Sequence, residues 1–167
     1  MQDLRAFSAQ ERYFLVQAAY GKAMLHAHGL ERLLGTLLIC RATFSLECKT
    51  TLDFRITKVK RLPLGKLIEE FVEAFSPGEE LIEELGNLLF FRNELAHRVS
   101  DIIIDATTQS NWEEDVVKEL EDIHSYFVDF KPLLQPYLNT FQAKVGVTEV
   151  QMLELIRKVY PGAAGGG

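Results

Sequence analysis

The sequence predicts an all-α fold: an antiparallel, up-and-down bundle of about five helices. Two observations predict it. Helix-start signatures recur along the chain, and the segments between them carry apolar residues at helical rather than strand spacing. A capping box pairs Ser or Thr with Glu or Gln three residues later, so that two orphan backbone donors are satisfied reciprocally. It occurs at Ser8–Glu11, Ser76–Glu79, Ser110–Glu113 and Thr148–Gln151.

The first helix is expected over 9–47, with Gly21, Gly29 or Gly35 as places where it could break or bend. A second is expected over 64–75, after Pro63, and a third over 77–104, with Pro77 at the first helical position, where its missing N–H costs nothing. The fourth runs from about 111 towards 143, with a kink or break near Pro132 and Pro136. The fifth covers about 149–159. Residues 48–63, CKTTLDFRITKVKRLP, alternate like a strand at Leu52, Phe54 and Ile56. A lone strand has no partner, so the segment reads as an extended loop with a basic tip. Residues 1–160 form one expected domain, followed by a flexible Gly/Ala-rich tail over 161–167.

The 167 residues are 47% hydrophobic, enough for a real core, and carry a net charge of −6. A uniformly basic nucleic-acid binder is excluded; a local basic site is not. Residues 1–66 have 11 basic and 5 acidic side chains; residues 67–167 have 7 and 19. Such asymmetry fits contact with a charged partner or simply a solvated acidic face. Cys40 and Cys48 have no CxxC spacing and read as buried reduced thiols of a cytoplasmic protein. The longest apolar run, LLGTLLIC at 33–40, is too short for a membrane span. His26, His28 and His124 lack metal-ligand spacing, and no phosphate-binding glycine loop or nucleophile elbow occurs, so no metal or cofactor is expected.

The third helix holds the unusual feature. At ~100° per residue from Leu81, the residues Leu85, Leu88, Leu95, Ala96, Val99 and Ile103 fall on one stripe. Arg92 falls in the middle of it, where a permanent cation is costly without partners. Asn93 and His97 lie one turn apart on the flank, so that Asn93 can orient the imidazole. Ordinary alternatives are an Arg that snorkels or pairs with a carboxylate, and a tolerated surface His.

Arg92-Asn-Glu-Leu-Ala-His97 resembles the R-x4–6-H motif of the HEPN superfamily, in which a polar residue, often Asn, follows the Arg. A long first helix, a short second helix opening LPLGKLIEEF, and a motif late in the third helix extend the resemblance over most of 9–145. The resemblance implies a homodimer with a composite site and, in many members, metal-independent endoribonuclease activity in toxin or defence systems. It assigns His97 as acid/base group, Arg92 as phosphate and transition-state clamp, and Asn93 as orienting group. RNA would be the substrate, held by Arg55, Lys58, Lys60, Arg61 and Lys66, and a cognate antitoxin or regulatory protein the partner. Imidazole moves protons near neutral pH, and a guanidinium matches the charge gathering on a phosphorane, so the residue types suit metal-free cleavage by the 2′-OH. One branch of that family carries a Tyr two residues after the His, modified by its antitoxin. Val99 stands there, which puts that pairing in doubt. The alternative reading is a non-catalytic domain that binds a nucleotide or a protein.

Overall fold

A computed structural model describes residues 7–44, 57–105, 112–146, 148, 150, 151, 154 and 157. The fold is all-α, as expected, and no strand occurs among the described residues. The long elements are α1 (Ala9–Phe44), α2 (Leu64–Phe75), α3 (Glu79–Asp105) and α4 (Trp112–Val145). Residues 57–60 form a short helical turn, and 150, 151, 154 and 157 are helical where the fifth helix is expected.

Two of the capping boxes form. The Ser8 N–H and hydroxyl both donate to the Glu11 carboxylate, at 2.8 and 2.7 Å, and the Glu11 N–H donates to Ser8 Oγ at 3.3 Å. These bonds, the side-chain one first, hold the Glu11 carboxyl below its ordinary pKa. Thr148 and Gln151 reproduce the arrangement at 2.9 and 3.3 Å. The box expected at Ser76 does not form. Ser76 sits in the left-handed region (φ 45°) and donates its N–H to the Val72 carbonyl, closing α2. The following proline disfavours a right-handed helical Ser76, so the residue ends one helix rather than opening the next. α3 begins at Glu79, and the Gly78 carbonyl accepts from Leu81 and Ile82. Ser110 lies outside the described residues.

Neither expected break occurs. α1 is continuous through Gly21, Gly29 and Gly35. Each costs about 1 kcal/mol relative to Ala, less than the packing of Val16, Ala23, Ala27, Leu30, Leu34 and Leu37 along the buried side returns. α4 is continuous through Pro132 and Pro136. A proline deprives the carbonyl four residues earlier of its donor. Here Val128, Pro132 and Pro136 are exposed, so the released carbonyls of Val128 and Pro132 lie on the watered side, where bonding to solvent is available. Phe130, Leu134 and Phe141 keep the other side buried. The basic segment is also partly corrected: its described end is a helical turn, not an extended loop, with Val59 buried and Arg61 and Leu62 donating to the carbonyls of Lys58 and Val59. Residues 45–56, including Cys48, Arg55 and the alternating stretch, lie outside the described residues.

The chain packs as two compact units. The first comprises Met1–Leu30 and Glu83–Lys131. In it, α3 and α4 are antiparallel: Glu84 meets Tyr126 and Arg98 meets Glu119. α1 runs in the direction of α4, since Tyr20 shares a crevice with Val116 and Leu120 while His26 meets His124. The second unit comprises Glu31–Ile82 and Pro132–Gly167. Its centre is the fully buried run Leu34–Cys40 and an aromatic group, Phe71 with Phe75 at 4.8 Å and Tyr137 at 5.4 Å. Thr36, buried in that run, donates its hydroxyl to the Arg32 carbonyl at 2.8 Å. Cys40 is a buried thiol whose pKa burial pushes up to about 12.

Candidate functional site

The motif residues lie on α3, in the first unit. Leu85, Leu88 and Leu95 are buried, and Arg92, between them on the same stripe, is half-buried. The stripe therefore reads as expected as far as residue 95. Ala96 is exposed and leaves it, and the side chains of Val99 and Ile103 lie outside the described residues. The guanidinium of Arg92 reaches the neighbourhood of Tyr20 on α1. Burial pushes the Tyr20 hydroxyl above its ordinary pKa, and the charge of Arg92 pulls it back.

Asn93 and His97 are exposed and stand one turn apart. With ~100° between successive residues, they leave the helix about 100° and 140° away from Arg92. The three residues of the motif thus divide between two sides of α3. Asn93 and His97 share their side with Gly86, Leu89, Phe90 and Ala96, all within about 60° of one direction. Phe90 is 58% exposed, and a Cβ added to Gly86 would meet nothing within 4 Å. The outward side of α3 is accordingly a second, partly apolar stripe with two polar side chains in it. Opposite the buried stripe, Glu83, Asn87 and Arg98 are exposed and Glu94 is half-buried. Arg98 pairs with Glu94 at 3.2 Å and with Glu119 of α4.

Of the residues expected to hold RNA, the described ones, Lys58, Lys60, Arg61 and Lys66, belong to the second unit. Lys58 pairs with Glu70 at 3.1 Å, and Lys66 pairs with Glu69. Both pairs are solvent-exposed and contribute little to stability, yet they offset the positive charge that a phosphate chain would need. Lys60 and Arg61 are exposed on the helical turn and just after it.

Two features escaped sequence reasoning. Tyr126 on α4 places its hydroxyl 2.8 Å from both the Glu84 carbonyl and the Glu84 carboxylate, and its ring packs on Phe91 at 4.9 Å. Burial and the Glu84 bond push its ionisation upward. His124, which the sequence leaves alone on an acidic helix, meets His26 edge to face at 4.4 Å. The His26 Nδ1 lies 3.1 Å from the Lys22 carbonyl, and the buried His124 Nε2 has no hydrogen-bond partner among the described residues. Desolvation first, then Lys22 and His26, depress the His124 pKa, and Glu121 opposes them. A His depressed in the fold is protonated preferentially when unfolded, so stability is expected to fall as pH drops below about 6.5. Urea midpoints at pH 7.5 and 5.5 test this. The drop should shrink in His124→Leu, and an unchanged slope would remove His124 as its source.

Among the described residues, no group of three or more His, Cys, Asp or Glu side chains is placed to hold a metal, and no helix is long and apolar enough to cross a membrane. The crevice lined by Tyr20, Leu95, Leu120 and Ile123 has about 30 Å³ of internal space, room for a water molecule and not for a nucleobase.

Comparison with curated proteins and with solved structures gives no match. Comparison with protein families gives a different answer from the HEPN resemblance. That resemblance rests on a six-residue motif and a helix pattern that many bundles share, and no HEPN family matches. Residues 78–160, which take in α3, α4 and the helical residues after them, are instead similar to the conserved region of the opioid growth factor receptor (OGFr) family.

Proposed function

We propose that the chain is a non-catalytic, protein-binding helical module, and that the outward stripe of α3 is its binding face. The observation that carries this reading is the exposure of Phe90 beside Leu89, Ala96 and the open backbone of Gly86, with Asn93 and His97 as the polar groups that would fix register. An exposed aromatic on a rigid helix is the kind of anchor around which protein interfaces concentrate their energy. Residues 78–160 carry 16 acidic and 7 basic side chains, a net of −9, so the face suits a protein segment with an apolar anchor and a basic flank. The matching family is named for a receptor, and a receptor is a binding protein; only binding is carried over, not a ligand. The reading places the module in the cytoplasm, where a buried thiol such as Cys40 stays reduced.

The expected result is a partner captured by the full chain and lost by Phe90→Ala. With the purified partner, titration calorimetry should show Kd weakened tenfold or more. Because Phe90 is exposed, the variant should unfold within about 0.5 kcal/mol of the parent. Equal affinity in the two proteins would remove the α3 face from the reading.

A second reading is metal-independent RNA cleavage by Arg92, Asn93 and His97. It is supported by the exposure of Asn93 and His97 a turn apart, which leaves both open to substrate. His97 would take the 2′-OH proton, the 2′-oxygen would displace the 5′-oxygen at phosphorus, and a protonated imidazole would return a proton to the leaving oxygen. Arg92 would clamp the phosphorane, although the helix directs it away from His97, so a second copy would be needed to complete the site. RNA incubated with the chain in excess EDTA decides it. Cleavage to 2′,3′-cyclic phosphate ends by the parent and not by His97→Ala would establish this reading over the first.

A further inference from the structure

α1 has two apolar faces, and among the described residues only one is covered. Val16, Ala23, Ala27, Leu30 and Leu34 form the buried side. On the opposite side, Glu11, Phe14, Ala18, Gly21, Leu25 and His28 follow one another at spacings of three and four, all exposed and all within about 60° of the direction of Phe14. Phe14 is 58% exposed and Leu25 69%. A Cβ added at Gly21 would meet nothing within 4 Å, so the backbone there is open to close approach. Gln17 is the other residue on this line; between Glu11 and His28 it carries no charge.

The order of these residues is its own complement when reversed. If a second α1 is laid antiparallel across the first, with the two-fold axis midway between Ala18 and Gly21, Phe14 of each copy faces Leu25 of the other. Ala18 faces Gly21, and Glu11 faces His28. Large residues meet large at the flanks, small meet small at the centre where backbones approach most closely, and an acid meets a base at each end. A foreign helix has no reason to match this pattern at all six positions, whereas a second copy matches it by symmetry. Glu11 keeps one carboxylate oxygen on Ser8 as a cap and has the other to offer.

We propose that the outward face of α1 is a homodimerisation surface on which two copies pack antiparallel, Phe14 against Leu25 and Ala18 against Gly21. The proposal stands apart from the α3 reading, because it uses a different helix and a different partner. The contact from Glu11 to His28 is about 26 Å long at ~1.5 Å per residue, which is small for a stable interface. The expected dissociation constant is therefore in the micromolar range, about 1–100 µM.

Sedimentation velocity on the full chain, from about 1 to 300 µM to bracket that range, tests it. A monomer–dimer equilibrium is expected. Leu25→Glu puts a charge opposite Phe14, and Gly21→Leu wedges the crossing point. Each should leave a monomer throughout the range, with an unchanged helical circular dichroism spectrum, because both positions are open to solvent in the single chain. His28→Lys should tighten the dimer, and His28→Glu should loosen it several-fold by setting two carboxylates face to face. A parent that stays monomeric to 300 µM overturns the proposal. So does a dimer that survives Leu25→Glu and Gly21→Leu, since another face must then hold it. A dimer lost in both but indifferent to the two His28 variants overturns the antiparallel register.

Discussion

Phe71→Ala is expected to lower the stability of the chain by about 3–5 kcal/mol. The ring is fully buried in the second unit, stacked on Phe75 at 4.8 Å and edge-on to Tyr137 at 5.4 Å. α2 has 12 residues, too few to persist alone, and it is held by Leu64, Leu67 and Phe71. Removing the ring forfeits its transfer energy and leaves a void among aromatics that cannot collapse easily. It also loosens Phe75, over which the Arg41 guanidinium lies at 5.4 Å. Urea unfolding monitored by circular dichroism measures the loss. A change below about 1 kcal/mol would mean that α2 contributes little to the cooperative unit.

Tyr126→Ala should cost about as much, 3–5 kcal/mol, and Tyr126→Phe about 1–2 kcal/mol. The difference separates the ring from its hydroxyl. The ring lies among Phe91, Phe127 and Phe130 at 4.9, 5.9 and 6.1 Å. The hydroxyl serves the carbonyl and carboxylate of Glu84, both at 2.8 Å. Losing it leaves a half-buried carboxylate short of a donor. Glu84→Gln combined with Tyr126→Phe should therefore cost less than the two single changes together. The hydroxyl resists ionisation in the fold, whereas an unfolded Tyr ionises near pH 10. Stability should decline as pH rises past about 10, and less steeply in Tyr126→Phe. Additive single effects would place the Glu84 contact outside the energetics.

The two predictions have different standing in the sequence. Phe71 is legible: LIEEFVEAF spaces Leu67, Phe71 and Phe75 at four residues, so a helix sets them along one side. Tyr126 is not. Its partner is 42 positions away, and nothing local to either residue signals the meeting. The same holds for His26 and His124, which stand on different helices and become neighbours only when α1 and α4 pack.

The candidate site divides in the same way. Helical spacing alone puts Arg92 on the Leu85–Leu88–Leu95 stripe and Asn93 with His97 on another side of α3. Their burial follows that division. A short motif written as a string does not carry the angle between its members, and that angle is what weighs against one convergent catalytic centre within a single chain. Composition alone describes the basic cluster incompletely for a related reason. Composition counts Lys58 and Lys66 as positive, and packing sets Glu70 and Glu69 against them.

By itself the sequence determined the helical class, the span of α2, two working caps at Ser8 and Thr148, and the inward stripe of α3 as far as Leu95. All of these rest on interactions within a few residues, which local spacing and side-chain chemistry specify. Tertiary structure alone decided that α1 runs unbroken through three glycines and α4 through two prolines, that Ser76 ends a helix instead of starting one, and that α1 and α3 keep apolar residues on their outward sides. Those outcomes depend on what lies across from each residue. The energy of burying a long helix face exceeds the local cost of a glycine or proline, and no pattern along the chain reveals which face is left uncovered.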